Sequence, residues 1–220
     1  MKIILFRNTN NLLNLNSIEI FGLPKAGKTT LLNKLADSGR NKINFENVSL
    51  SKKLFLFLKY FIKHPLKTSY LFYKMNTKWQ TVKGAIFKDY FDFFRMRNSY
   101  LSAVLAKYEL IASQKKIFYI DEFIFQSLFV IFQVRASKEE ILTVLTKLPA
   151  SGKILLMEET KRERYLRWRA IKEPARNLNT KYRMLWWNNM EANYKIIKDI
   201  LEKKYGPPKN IANVFKELPF

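Results

Sequence analysis

Ile18-Glu19-Ile20-Phe21-Gly22-Leu23-Pro24-Lys25-Ala26-Gly27-Lys28-Thr29-Thr30, followed by Leu31, Leu32 and Leu35, is the stretch whose reading decides the fold. Ile18 to Phe21 is a short β-favouring run, and the three leucines return at helical spacing, so the order is strand, loop, helix. The loop matches Gly-x-x-x-x-Gly-Lys-Thr in full, the pattern of a backbone cradle for phosphate groups. With six glycines in 220 residues, a chance match is on the order of one in a few hundred. Gly22 and Gly27 permit backbone geometry closed to other residues. The N–H groups from Lys25 and Ala26 through Gly27, Lys28, Thr29 and Thr30 can then turn toward an anion, helped by the positive end of the helix. Lys28 would set its ammonium between the terminal phosphates of ATP or a similar nucleotide, and the Thr29 hydroxyl would coordinate Mg²⁺.

A partner for this loop lies a hundred residues on. Ile117 to Ile120 is a buried-strand pattern that delivers Asp121 and Glu122 at its C-terminal end, where ligands gather in open α/β sheets. Asp121 would hold Mg²⁺ directly or through water. An acidic pair at a strand end also serves as a helix cap, and that plainer role stands beside the first.

The remaining pattern extends the alternation. Residues 1–16 read as an added N-terminal arm or strand, Ile43 to Leu50 as a second strand, and Leu54 to Tyr73 as a helix broken near Pro65. Helices are expected over about 80 to 95 and 99 to 113, then over Phe123 to Gln133 and Glu139 to Leu148. Lys153 to Met157 is another buried strand, and Tyr182 to Leu201 marks a long helix stopping near Gly206-Pro207. Ile211 to Phe215 is expected as an edge strand. The expected fold is a single domain over 1–220, three-layered α/β/α, with a parallel sheet covered on both faces.

Composition narrows the chemistry. There is no cysteine, so disulfides and thiolate metal sites are excluded, and His64 is the only histidine, so clustered-histidine metal sites go too. His64 precedes Pro65 at the expected helix break, which speaks against a catalytic base. Lys and Arg number 40 against 18 Asp and Glu, a formal charge of +22, which draws nucleic acid, anionic lipid or phosphorylated small molecules. The first apolar run is too short for a signal peptide, and no stretch reaches the length of a membrane span. A cytoplasmic chain is expected, either free or peripheral to a membrane.

In its Gly22 to Thr30 loop, in Asp121-Glu122-Phe123-Ile124-Phe125-Gln126-Ser127 and in a late arginine cluster, the chain resembles P-loop kinases of the nucleoside and nucleotide kinase group, especially the thymidylate kinase-like members. The resemblance spans the order of elements over about 17 to 204. It implies a phosphotransferase that moves the γ-phosphate of ATP, with Mg²⁺, to a small acceptor. It also implies a lid over 160–176, where Lys161, Arg162, Arg164, Arg167 and Arg169 fall. Arg162, Arg164 and Arg169 would close over the phosphates as catalytic cations beside Lys28, Asp121 and Glu122. The same arginines could instead pair with Glu158, Glu159 and Glu163 along a solvated helix face.

The resemblance puts the acceptor in a helical subregion over 50–113. There Asp89 and Asp92 lie three apart with Arg95 three further and Arg97 beyond, a group suited to an acceptor hydroxyl or phosphate and equally to an exposed ion-paired face. Glu46 is the one acidic residue between Ile43 and Leu50, and so the candidate base. An Asp-Arg pair common in nucleoside kinases is missing, since Glu122 follows Asp121, which speaks against a nucleoside acceptor and leaves nucleotide, sugar, lipid or protein-linked acceptors open. A GTPase is excluded by the lack of Asp-x-x-Gly after Asp121 and of a base-reading Asn-Lys-x-Asp. The competing readings are a nucleic-acid-dependent ATPase, with Trp186 or Trp187 stacking on bases, a membrane-associated ATPase, and a nucleotide-binding interaction module.

Overall fold

The computed structural model describes residues 2–7, 15–23, 26–43, 45–77, 90–132, 134–149, 152–158, 180–205 and 209–210. Their strands are β1 (Lys2–Arg7), β2 (Ser17–Gly22), β3 (Phe118–Asp121), β4 (Lys153–Glu158) and β5 (Lys209–Asn210). The helices are α1 (Lys28–Asp37), α2 (Leu50–Lys63), α3 (Pro65–Asn76), α4 (Tyr90–Ala112), α5 (Ile124–Ile131), α6 (Lys138–Leu145) and α7 (Thr180–Tyr205).

All five strands join one sheet in the order β3-β2-β4-β1-β5. β2 lies in its interior, parallel to β3 with Ile20 opposite Asp121, and parallel to β4 with Gly22 opposite Met157. That pairing brings the end of β2 and the end of β3 to the same edge of the sheet. The protein is therefore mixed α/β with a mostly parallel sheet, the expected parallel pairing holding for β2 with β3 and β4 and giving way at β1. This strand is no loose arm. It is inserted between β4 and β5 and runs antiparallel to both, because its apolar side chains complete both faces of the sheet.

Strand alternation divides the core. Ile18 and Ile20 of β2, with Ile3, Leu5, Tyr119, Leu155 and Met157, pack against Leu31, Leu32 and Leu35 of α1. On the other face Phe21 stacks on Phe129 of α5 (ring centroids 5.5 Å apart) and on Tyr194 of α7 (5.8 Å), inside the larger cluster that includes Ile4, Phe6 and the buried side of α4. Phe21 thus ties the last turn of strand before the glycine loop to two helices at once.

Local signals explain three of the helix starts. Ser49 caps α2 by accepting from the Lys52 N–H, and α3 begins with Pro65 at its first turn. The break between them falls at His64, as expected. Ser137 and Glu140 form a reciprocal capping box at the start of α6. Two expectations are corrected. Among the described residues of 43–50 there is no strand: Lys42 makes an isolated parallel bridge to Tyr119, and Phe45 packs with Leu56 and Ala106. Where two helices were expected before 113, α4 is one continuous helix from Tyr90, and residues 78–89 lie outside the described set. Among the described residues the return near the C-terminus is β5 at 209–210, while 211–215 fall outside them. No helix among the described residues is long and apolar enough to cross a membrane.

Candidate functional site

Residues 22–23 and 26–29 build the edge where β2 and β3 end. The two glycines are needed for different reasons. Gly27 has φ +83°, the left-handed region, and forms the N-cap of α1. Gly22 is held by space: a Cβ there would sit 3.0 Å from the Met157 carbonyl oxygen on β4. Between them the Ala26 N–H donates to the Leu23 carbonyl at 3.1 Å, and the Leu31 N–H reaches the Gly27 carbonyl at 3.0 Å, starting the helix.

Lys28 is buried, and its Nζ donates to the carbonyl oxygens of Gly22 (3.1 Å) and Leu23 (3.0 Å). The ammonium thus lies against the start of the loop. One residue further, the Thr29 hydroxyl donates to Asp121 Oδ2 at 2.8 Å, which joins the loop to the end of β3. Thr29 and Thr30 are exposed. Thr29 thus meets Asp121, Lys28 lies one residue before Thr29 on α1, and Glu122 follows Asp121, exposed and with φ +49°. A glutamate in that region is uncommon and strained.

The two helix N-termini at this edge meet carboxylates differently, α1 through the Thr29 hydroxyl to Asp121 and α5 through its backbone N–H groups to Glu19. α5 receives a carboxylate from inside the protein: buried Glu19 of β2 accepts from the N–H of Phe125 (2.7 Å) and of Gln126 (3.3 Å) through Oε1. α1 begins on a glycine, with no side-chain cap and no acidic residue in its first turn. The positive end of α1 is left without an anion from its own helix, beside a buried lysine.

Sequence reasoning did not single out Glu19, Lys107 or Tyr100. Lys107 of α4 donates to the Glu122 carbonyl at 3.4 Å and lies 5.7 Å from the Phe45 ring centroid. Burial pushes its ammonium pKa down, against the pull of Glu122, Asp121, Glu19 and Glu46. Tyr100, seven residues earlier on the helix, has its phenol raised well above the usual range, first by burial and then by Glu122, Glu19 and Asp121. A lone acid in an apolar strand was the available signal for Glu19. For Lys107 it was helical spacing, since Tyr100, Val104, Lys107 and Ile111 repeat at four, three and four residues.

Glu46 is exposed, and its charge is the weakest of the four carboxylate pulls on Lys107. Its backbone carbonyl also accepts from Lys53 Nζ at 3.3 Å. Of the weaker acceptor group, only the Arg95 and Arg97 side chains are described. Arg97 is fully buried and donates to the Ile131 carbonyl at the end of α5, a structural contact, whereas Arg95 is exposed. Asp92 lies on α4 with its side chain outside the described set; Asp89, Lys25, and the Arg162, Arg164 and Arg169 cluster fall outside the described residues altogether.

Whether the site fits Mg²⁺ can be judged from its donors. Thr29 and Asp121 offer two hard oxygens in contact, the kind this ion takes in small number when phosphates and water complete its shell. No group of three or more acidic or histidine side chains poised for a metal occurs among the described residues. No protein-family model, curated protein or solved structure matches the chain. What stands is an α/β protein with a mostly parallel sheet and, at the C-terminal edge of β2 and β3, a glycine loop closed by a lysine and joined to an aspartate.

Proposed function

We propose that the chain is a Mg²⁺- and ATP-dependent phosphotransferase acting on a small acceptor. The observation that carries this reading is the convergence of buried Lys28, the uncapped start of α1 and the Thr29–Asp121 contact on one turn. An uncapped helix start with a lysine beside it favours a multiply charged anion over a neutral ligand. Bound Mg²⁺, held by Thr29 and Asp121, would neutralise phosphate charge.

In the reaction the bond from the γ-phosphorus to the β,γ-bridging oxygen breaks, giving ADP. A bond from phosphorus to an acceptor oxygen forms, and the acceptor proton passes to a carboxylate. Lys28 counters charge on the terminal phosphates, and Glu122 and Glu46 are the exposed carboxylates available for the proton. Arg162, Arg164 and Arg169 take the closing role that the resemblance implies for them.

An acceptor screen that follows ADP release tests the proposal. Expected is Mg²⁺-dependent turnover stimulated by one class of small acceptor and reduced by about a hundredfold or more in Lys28→Ala. Stimulation by a nucleic-acid polymer with steep salt dependence would replace the kinase reading with a nucleic-acid-dependent ATPase. Nucleotide binding with no stimulation by either would leave an interaction module.

A further inference from the structure

We infer that the α2–α3 unit docks the protein on an anionic bilayer surface. A helix on the outside of a globular protein needs one apolar face, and α2 has two. Leu56 and Tyr60 are buried on the side that packs against α4. A second set, Leu50, Leu54, Phe55, Leu58, Phe61 and Ile62, is exposed, with Phe55 at 64% and Ile62 at 76% of full exposure. At roughly 100° per residue these six cover roughly 140° of the helix circumference. Leu66, exposed at 84%, and Tyr73 add exposed apolar side chains on α3.

Charge chooses the occupant. Residues 50–76 contain six lysines, Lys52, Lys53, Lys59, Lys63, Lys67 and Lys74, and no aspartate or glutamate. Lys52, Lys59 and Lys63 line one border of the exposed apolar stripe by the same helical count. Lys59 and Lys63 reach buried Glu109 of α4, at 3.5 and 2.9 Å, which fixes this border while leaving both side chains nearly half exposed. An apolar stripe with a lysine border suits insertion among acyl chains with the ammonium groups at the level of anionic headgroups. A second copy would bring lysines against lysines on a chain of charge +22. Nucleic acid has little use for exposed leucines and isoleucines, which neither stack on bases nor contact phosphate.

The proposal is independent of the nucleotide reading, and its test needs no catalysis. The protein is co-sedimented with vesicles of phosphatidylcholine alone or mixed with one part in four phosphatidylglycerol. Binding to the anionic vesicles is expected to exceed binding to the neutral ones by about tenfold or more. The exposed-position variant F55S/I62S/L66S should lose about tenfold or more of that binding, and K52Q/K67Q a smaller amount with a flatter salt dependence. Because the chain has no cysteine, an environment-sensitive dye can also be placed by F55C. It should report an apolar setting on anionic vesicles, while the same dye placed by D37C, on the opposite side of the sheet, should not. This readout stands even if the triple variant does not fold. Binding undiminished in folded F55S/I62S/L66S, a water-exposed dye at position 55 on bound protein, or a vesicle-independent dimer abolished by the triple substitution would each overturn the proposal.

Discussion

The Thr29 hydroxyl donates to Asp121 Oδ2 at 2.8 Å, across 92 positions of sequence. A strand end and a helix start are thereby clasped by two oxygens of the kind Mg²⁺ prefers. Thr29→Ser keeps the hydroxyl and is expected to retain Mg²⁺-dependent nucleotide binding, whereas Thr29→Val and Asp121→Asn should each weaken it by about tenfold or more. Titration of nucleotide binding with Mg²⁺ decides the point, and unchanged Mg²⁺ dependence in both weakened variants would remove the metal from this site.

Gly22 and Gly27 should fail differently. Gly27→Ala places a side chain at φ +83° and is expected to cost about 1–2 kcal/mol of stability through backbone strain. Gly22→Ala brings a Cβ to 3.0 Å from the Met157 carbonyl, so β2 and β4 must part slightly, costing about 1–3 kcal/mol. Urea denaturation gives both values. Full stability in Gly22→Ala would mean that the contact with β4 is slack.

Glu19 holds the first turn of α5 from the middle of the sheet. Glu19→Leu fills the space but leaves two buried N–H groups without this acceptor, and a loss of about 2–3 kcal/mol follows. Glu19→Gln retains an acceptor oxygen and should lose less. Equal midpoints in urea for the two variants would show that the hydrogen bonds contribute little.

Tyr60, Tyr100, Tyr108 and Tyr119 all have phenols raised above their ordinary value, burial being the first cause in each. The folded state therefore retains these protons more tightly than the unfolded chain. Their stabilising contribution is complete below the unfolded value near pH 10 and is lost as pH rises above it toward the folded values. Absorbance of ionised tyrosine should rise in two stages, the later one coinciding with loss of helical circular dichroism. A single early stage in a folded protein would contradict the burial of these four rings.

Much of this architecture was legible in local pattern. β2, the glycine turn and α1 could be read because alternation gives way to helical spacing within a dozen residues, and β3 and β4 because a strand buried on both faces is a short apolar run. Phe45 misled, since an apolar residue in a β-favouring stretch looks the same whether it joins a sheet or packs, as here, against Leu56 and Ala106. The strand at Lys2–Arg7 was visible only as an option, because its place is set by partners at 153–158 and 209–210 that no local window contains. Within the site, residues supplied by the loop were evident from the motif, while Glu19 and Lys107 emerged only when distant elements were brought together.

The seam between β1 and β4 has a bearing on biogenesis. Residues 2–7 emerge from the ribosome before the other described strands, yet their partners on β4 are made roughly 150 residues later, a separation that slows closure of the sheet. Until then an apolar strand has both edges open, which invites pairing with other nascent chains. Translation rate and chaperone supply should therefore affect yield.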